Sequence, residues 1–414
     1  MILDLSFTPQ WQRQTHQQSG LRFTTTTRVV LLVICLSLLP IAQASTGDQL
    51  PSFQQCLQTC RCDNLPSEYT VLGWSCDANC NYYCQQTITD ERELMQLPVV
   101  QFYGKWPFRT VVGVQEFWST VFSLGNLLVN YLSFKVIYRE YRKLKRSGTG
   151  SDNQRGFGGG KSSTFTEEAF TEEECRILYQ QSLILLVVSC IGWGFSSIFH
   201  FRDTPFTEVL DYFGAFAIIL SNLNIIVVRY FKLYKQGHLW KLTVWQLGLL
   251  TVYMYHVIRL AADWDYSYNM NINVVLGLSA MVLWFLHSFT IGQVYKRNFN
   301  LIHSTITLVP YETNILKKLH LHDCSSAAAA TSGERGSMKR LGSGKLSHWI
   351  IPYVPVFNNI ILLGGLYLEI NDFEPWQRLV DAHSLWHLLT IFPSFIWFDW
   401  NVWDVEMAKV TGTL

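Results

Sequence analysis

The chain has 414 residues, of which 49% are hydrophobic, 14% aromatic and only 15% charged, and its formal net charge is +1 at pH 7. A nearly neutral chain with so few charges argues against a nucleic-acid-binding protein. The charged residues also cluster between long apolar stretches, which favours a protein that crosses a membrane several times.

The N-terminus has the features of a secretory signal peptide. Arg22 and Arg28 precede an apolar run over residues 29–41, and the run ends in the small-residue cleavage pattern Ala42-Gln43-Ala44. The run is short for a membrane span. The sequence therefore predicts a signal peptide over residues 1–44, which places the next residues on the lumenal side. An uncleaved signal anchor is the alternative and gives the same orientation.

A cysteine-rich segment, residues 45–110, lies between the signal peptide and the first predicted span. Its six cysteines are Cys56, Cys60, Cys62, Cys76, Cys80 and Cys84. An even number of cysteines in a short lumenal segment indicates a disulfide framework, because the lumen is oxidising and the segment is too small for a core of its own. Zinc binding is the alternative, although the spacings do not fit the usual knuckles. The connectivity stays open.

Seven apolar stretches are long enough to span a bilayer at about 20 residues each. They cover residues 117–138, 177–200, 211–229, 242–258, 273–295, 349–367 and 383–399. The expected fold is an all-α, seven-helix transmembrane bundle over residues 111–400, followed by a cytoplasmic tail, 401–414. Two segments, 147–174 and 300–347, are predicted to be flexible cytoplasmic inserts because glycine, alanine and polar residues dominate them.

The loop charges support the same orientation. With a lumenal N-terminus, the cytoplasmic loops are 139–174, 230–241 and 296–348, and these hold most of the Lys and Arg residues near the spans. The lumenal loops offer only Arg202, Arg259 and Arg378. This asymmetry follows the positive-inside rule.

Polar residues within three predicted spans point to one site. His383 and His387 are four residues apart at the start of the seventh span, so they share a helix face. Ser196 and His200 have the same spacing at the end of the second span, and Asp211 opens the third. All five lie at the lumenal ends of their spans. Ionisable groups at bilayer depth are expensive and mark functional sites.

Three imidazoles and one carboxylate suggest a metal centre with an open coordination position. Neutral histidines leave the metal its full charge, so a bound water would ionise near pH 7. Asp211 could orient or deprotonate that water or bond a histidine N–H. Ser196 could bond the water or the developing oxyanion, and a serine nucleophile is less favoured because the histidines would be occupied. The prediction is a membrane-embedded hydrolase of lipid esters or amides.

Three other residues have alternative interpretations. His256 ends the fourth span on the same side and is a rival ligand, but we favour an interfacial hydrogen-bonding role. Arg202 follows His200 and could bind a substrate phosphate. Glu116 could support a second cation, although its position alone argues for this only weakly.

Several motifs resemble one family of membrane proteins. They are His200-Phe201-Arg202-Asp203-Thr204-Pro205, Asp211-Tyr212-Phe213, Gln101-Phe102-Tyr103-Gly104-Lys105-Trp106-Pro107-Phe108, Asp265-Tyr266-Ser267-Tyr268-Asn269-Met270 and Asp381-Ala382-His383-Ser384-Leu385-Trp386-His387, together with the six-cysteine segment. The sequence is similar to the post-GPI-attachment remodelling factors, the GPI-specific phospholipase A2 group. That group belongs to the CREST superfamily of membrane hydrolases, with alkaline ceramidases and adiponectin-type receptors as relatives.

The resemblance implies a Golgi enzyme, with the endoplasmic reticulum as a second location. It would remove the sn-2 acyl chain from GPI-anchored proteins, its substrate partners. By analogy with the relatives, His200, His383 and His387 would bind zinc, with Ser196 and Asp211 beside it. Two alternatives stay open: hydrolysis of another lipid such as ceramide, or a non-catalytic receptor or chaperone for GPI-anchored proteins.

Overall fold

A computed structural model describes residues 46–61, 67–150, 171–304, 308–321 and 348–411. The predicted signal peptide, Cys62 and most of both predicted inserts lie outside these residues. The described residues form helices, with only isolated bridges and no β-strand among them. The expected all-α class is therefore confirmed for this part of the chain.

The helices fall into three groups along the chain. Three short helices come first, α1 (Pro51–Thr59), α2 (Ser67–Val71) and α3 (Cys76–Leu94). Five long helices follow, α4 (Phe117–Gly150), α5 (Glu172–Phe201), α6 (Pro205–Tyr230), α7 (Leu239–Ala262) and α8 (Tyr266–Arg297). Two short helices, α9 (Phe299–Ser304) and α10 (Val309–Lys318), precede the long helices α11 (Val354–Ile370) and α12 (Ala382–Thr411).

Five of the long helices are apolar and long enough to cross a membrane. They are α4, α5, α6, α8 and the Ile351–Ile370 segment that contains α11. By length and composition the chain is therefore a multi-pass membrane protein. The helices α7 and α12 are long but do not reach the same hydropathy within the described residues.

Local sequence signals define where the long helices begin. Thr171 and Glu174 form a capping box at the start of α5. Thr204 accepts a hydrogen bond from the Thr207 N–H ahead of α6, and Pro205 occupies the first helical position. Such residues satisfy N–H groups that have no partner within the helix.

The bundle is organised around α5 and α12. The helix α5 packs on α4 and α6, while α12 packs on α4 and α11. The core at one end of the bundle contains three fully buried tryptophans, Trp284, Trp400 and Trp403. The other end of the bundle, where α5 ends and α12 begins, holds the histidines.

Two glycines allow α5 and α6 to approach closely beside the predicted site. A Cβ added to Gly214 would lie 3.1 Å from the Gly192 Cα, and one added to Gly192 would lie 3.2 Å from the Gly214 carbonyl oxygen. Backbone atoms cannot move aside as a side chain can. The close approach therefore requires glycine at both positions, one turn from Ser196 and Asp211 respectively.

The cysteine-rich segment forms a small helical unit, which we call the head (residues 46–61 and 67–116). Two disulfides, Cys56–Cys84 and Cys60–Cys80, join α1 to α3. Cys76 is disulfide-bonded as well. A small apolar cluster of Phe53, Ile88 and Phe102 packs around the Cys56–Cys84 bridge.

The head is held against the loop between α11 and α12. Arg378 of that loop is buried and pairs with Asp90 at 2.8 Å and Glu93 at 2.7 Å, both on α3. Trp106 Nε1 of the head donates to Asp372 at 2.8 Å. The head therefore has a fixed position beside the start of α12.

Two predicted boundaries are wrong. Residues 401–411 do not form a separate tail but continue α12 into the core, where Asp404 accepts from Arg229 at 2.6 and 3.0 Å. Residues 300–321 of the predicted flexible insert include α9 and α10, with Ile302 and Ile315 fully buried. Both segments are therefore packed parts of the protein, and Asp404 and Glu312 within them are buried beside partners.

Candidate metal centre

Three histidines from two helices converge at one end of the bundle. His200 lies in the last turn of α5, and His383 and His387 lie in the first turns of α12. Their potential ligand nitrogens lie within 4.8 Å of one another. The ring centroids are 5.2 Å (His200–His383), 4.9 Å (His200–His387) and 4.5 Å (His383–His387) apart.

Carboxylates orient two of the imidazoles. His200 Nδ1 lies 2.7 Å from Glu116 Oε2, and His383 Nδ1 lies 3.0 Å from both oxygens of Glu369. An ionised carboxylate only accepts hydrogen bonds, so both Nδ1 atoms donate. In a neutral ring, each Nε2 then carries a lone pair, as a metal ligand must.

Two serines connect the third imidazole to a carboxylate. His387 Nδ1 lies 3.1 Å from Ser123 Oγ, which lies 3.1 Å from Ser196 Oγ. Asp211 interacts electrostatically with the Ser196 hydroxyl. A Ser196 hydroxyl that points to Asp211 accepts from Ser123, and Ser123 then accepts from His387 Nδ1. In that arrangement His387 Nε2 carries a lone pair as well.

The Nε2 atoms have the surroundings expected of metal ligands. His200 Nε2 is buried and has no hydrogen-bond partner among the residues that the structure describes. His383 Nε2 and His387 Nε2 lie 2.8 Å apart, each on a ring whose Nδ1 already donates. Two facing lone pairs repel unless a proton or a cation lies between them. The donor set therefore fits a divalent transition metal, which three neutral histidines bind with a position left open.

The centre is accessible from one side. His200 and His387 are 1% and 4% exposed, whereas the His383 side chain is 36% exposed. The exposed edge of His383 is the route by which a substrate could reach the centre.

Charged groups outside the spans surround this opening. Burial alone would raise the pKa of Glu116, but the adjacent His200 outweighs it and lowers the pKa to about 2. Burial alone would lower the pKa of Lys105, but its ion pair with Asp203 raises the pKa above the usual value. Glu116 and Lys105 are therefore both charged at neutral pH. The Lys105 ammonium also lies 4.8 Å from the Phe199 ring centroid.

Arg202 lies at the rim but already has several partners. Its guanidinium donates to Gln115 Oε1 at 2.9 Å and lies 4.5 Å from the Trp74 ring. The side chain is partly buried between the head and the end of α5. These contacts tie the head to the metal centre, and a phosphate-binding role for Arg202 stays a prediction.

The sequence did not identify three orienting residues. No sequence pattern points to Ser123. The sequence favours Glu116 only as support for a second cation, whereas in the structure Glu116 orients His200. Glu369 carried a detectable signal, because it is an acidic residue within an apolar span. What could not be inferred is which histidine it would face.

His256, the predicted rival, does not join the histidine group. Its ring stacks on Phe216 with centroids 3.7 Å apart and planes inclined by 17°. The residue is buried among aromatic side chains rather than placed at an interface. It therefore packs as an aromatic ring would, and its interaction with Asn269 leaves an interfacial hydrogen-bonding role a prediction.

Comparison with known proteins identifies the family. The model of the Per1-like family matches residues 66–405, which include the three histidines and every orienting residue. The chain belongs to the Per1-like family. The resemblance to post-GPI-attachment factors that the motifs indicated is thereby confirmed.

Curated relatives of this Per1-like protein cover nearly its whole length. Protein PER1 of Saccharomyces cerevisiae is 28% identical over 91% of this chain and 96% of its own. Post-GPI attachment to proteins factor 3 of Drosophila melanogaster is 27% identical over 89% and 92%. The human GPI-specific phospholipase A2-like PGAP3 is 24% identical over 89% and 92%. No solved structure matches the chain.

Proposed function

We propose that this protein remodels the lipid of GPI anchors by hydrolysing an acyl ester, with GPI-anchored proteins as its substrates. The supporting observation is the centre in which His200 and His383 each place Nδ1 against a carboxylate, His387 places Nδ1 against Ser123, and the potential ligand nitrogens lie within 4.8 Å of one another. The names of the relatives supply the substrate class. The sn-2 position is the proposed point of cleavage.

His200, His383 and His387 would hold the metal, and we propose zinc because three histidines with an open position are a common catalytic zinc site. When bound, it supplies Lewis acidity that polarises an ester carbonyl and makes water nucleophilic near neutral pH. Glu116 and Glu369 keep two imidazoles oriented and offset part of the metal charge. Asp211, which interacts with the Ser196 hydroxyl, would accept the proton that the attacking water loses.

The substrate would reach the centre at the membrane surface. The centre lies at the ends of α5 and α12, where the exposed edge of His383 faces out beside the head. An ester near the glycerol backbone of a lipid lies at this depth, below the headgroups. The head would then lie on the side where the protein part of a GPI-anchored substrate is displayed.

Seven spans and a lumenal head are part of the proposal. The assignment of α7 as a span is supported by large apolar side chains that are exposed on its outer face, including Val244, Leu247 and Ile258. The helix α12 is long, and its charged residues are paired: Asp399 with Lys318, Asp404 with Arg229, and Glu406 with Lys409. With a lumenal head, the metal centre opens to the lumen of the Golgi apparatus, the proposed location.

The test is the replacement of one ligand in cells that lack the endogenous protein. We expect His383→Ala or His387→Ala to reduce removal of the sn-2 chain by more than about 100-fold, beyond the 10–100-fold typical of orienting residues. Mass spectrometry of GPI lipid chains measures this. The matched control is His238→Ala, since His238 lies in the turn before α7 and belongs to neither histidine group of the described residues.

A second measurement separates folding from catalysis. Both ligand variants should reach the same compartment in the same amount as the control, because His383 is partly exposed and its loss leaves the bundle core intact. If the GPI lipid chains in cells with either ligand variant matched those in cells with the control variant, the proposed catalytic centre would be overturned. If both ligand variants contained as much zinc as the control variant, the proposal that these histidines bind zinc would be wrong.

A further inference from the structure

A second group of potential ligands lies far from the three-histidine centre. His303 of α9, Glu312 of α10 and His348 have potential ligand atoms within 4.8 Å of one another. We propose that these three residues bind a divalent transition metal ion at a second site. This inference does not depend on the proposed hydrolase function.

Glu312 is buried and held in one orientation. Its side chain is only 1% exposed. Its Oε1 atom accepts from the Tyr295 hydroxyl at 3.1 Å and from Trp403 Nε1 at 3.3 Å. A buried carboxylate is costly unless it is paired with a positive charge. The two neutral donors satisfy one oxygen but leave the negative charge uncompensated.

The other oxygen of Glu312 faces two imidazoles. Glu312 Oε2 lies 3.2 Å from His303 Nε2 and 2.9 Å from His348 Nδ1. Because His303 Nδ1 lies 2.8 Å from the Phe299 carbonyl oxygen, it must donate to that oxygen. In the neutral ring, His303 Nε2 therefore points a lone pair at a carboxylate oxygen. This arrangement is repulsive unless a cation lies between the two atoms.

The ligand types indicate the class of cation. Two imidazoles and one carboxylate are a set that zinc and similar ions bind, usually with water in the fourth position. The orientation of His303 by a backbone carbonyl is the usual arrangement behind a metal-bound histidine. The His303 and His348 side chains are 25% and 27% exposed, so an ion can enter from solvent.

The second site is separate from the first. Trp403, which contacts Glu312, lies 16 residues after His387 on α12, so the two sites are roughly 24 Å apart along this helix. With a lumenal head, the second site faces the cytoplasm. His303 lies on α9 and Glu312 on α10, and Glu312 contacts the core residues Tyr295 and Trp403. The ion would therefore hold α9, α10 and His348 against the bundle core rather than take part in hydrolysis.

The experiment counts zinc ions in purified full-length protein that was loaded with zinc alone and then dialysed. We expect about two zinc ions per chain in the wild type, about one in His303→Ala/His348→Ala and about two in the matched control His238→Ala. The variant His383→Ala/His387→Ala should keep about one ion. If the first centre binds no metal, the wild type should hold about one ion and His303→Ala/His348→Ala none.

A conservative variant excludes unfolding as the cause of a loss. In Glu312→Gln the amide oxygen can still accept from Tyr295 and Trp403, while the amide N–H can bond His303. This variant should stay folded by thermal unfolding and still lose one zinc ion. A zinc content that matches the wild type in both Glu312→Gln and His303→Ala/His348→Ala would overturn the second site. Glu312 would then be neutralised by protonated imidazole.

Discussion

The orientation of each imidazole in the first centre is decided by single hydrogen bonds. His200 and His383 each donate directly to a carboxylate, whereas His387 reaches one only through Ser123 and Ser196. The serine chain is the weakest of the three connections, because each hydroxyl can rotate and donate elsewhere. His387 is therefore the ligand whose orientation depends most on a neighbour.

This dependence predicts the effect of Ser123→Ala. The change removes the acceptor of the His387 Nδ1 proton, so the ring loses its preferred tautomer and orientation. We expect zinc affinity of the purified protein to fall by about 10–100-fold. Competition with a coloured chelator measures the affinity.

The matched control is Ser119→Ala, one turn earlier on α4. Ser119 is equally buried, but its hydroxyl has no hydrogen-bond partner. Its replacement should leave zinc affinity unchanged. Equal affinities in the two serine variants would show that the serine chain does not orient His387.

At the scale of helices, the distance between α5 and α6 determines whether the serine chain of Ser123 and Ser196 can reach Asp211. Asp211 on α6 interacts with the Ser196 hydroxyl on α5, and the two helices lie this close because Gly192 and Gly214 let their backbones meet. Small residues at the interface are a general device of membrane helices. The glycines are therefore part of the site although neither contacts a histidine.

The expected result of Gly214→Ala follows from this packing. The new methyl group meets the Gly192 backbone, so the two helices must separate, and we expect a loss of about 1–3 kcal/mol in stability. Thermal unfolding in detergent measures the loss, and GPI lipid remodelling should fall with it.

The control is Gly277→Ala on α8, where an added Cβ meets nothing within 4 Å. Its unfolding temperature should equal or exceed that of the wild type, because alanine favours a helix more than glycine does. A Gly214→Ala protein as stable as the Gly277→Ala protein would contradict the close-packing argument.

For the whole molecule, topology determines which compartment each site faces. The proposed orientation places the head in the lumen by the positive-inside rule, and the seven proposed spans would place the C-terminus in the cytoplasm. Five helices meet the hydropathy criterion among the described residues. The head and the C-terminus therefore lie on opposite sides if α7 and α12 both cross the membrane or neither does, and on the same side if only one of them crosses.

Glycosylation tests this topology. The change Tyr83→Ser, at an exposed position of the head, turns Asn81 into an acceptor for N-linked glycan, because a serine then follows it two residues later. We expect this variant to be glycosylated and an acceptor tag on a long spacer after Leu414 to remain unmodified. Glycosidase treatment followed by electrophoresis measures both. Modification of the C-terminal tag would contradict an odd number of spans.

Local patterns in the sequence were enough for the helical class, five of the apolar spans and the choice of the three histidines. His383 and His387 share a helix face by their spacing alone, and His200 was recognisable because a buried histidine is costly in a membrane. These inferences needed only neighbours along the chain. Placing the span ends on one side put the histidines at one face of the membrane, but the packing of α5 and α12 on α4 brings their nitrogens within 4.8 Å of one another.

The tertiary structure alone decided which partner each polar group meets. Glu116, Glu369 and Ser123 orient the histidines from distant positions, and Asp404 pairs with Arg229 inside the core instead of marking a tail. A charged residue has the same sequence signal whether it is solvated or paired. Only packing brings its partner near, and the energy of a buried charge depends on that partner.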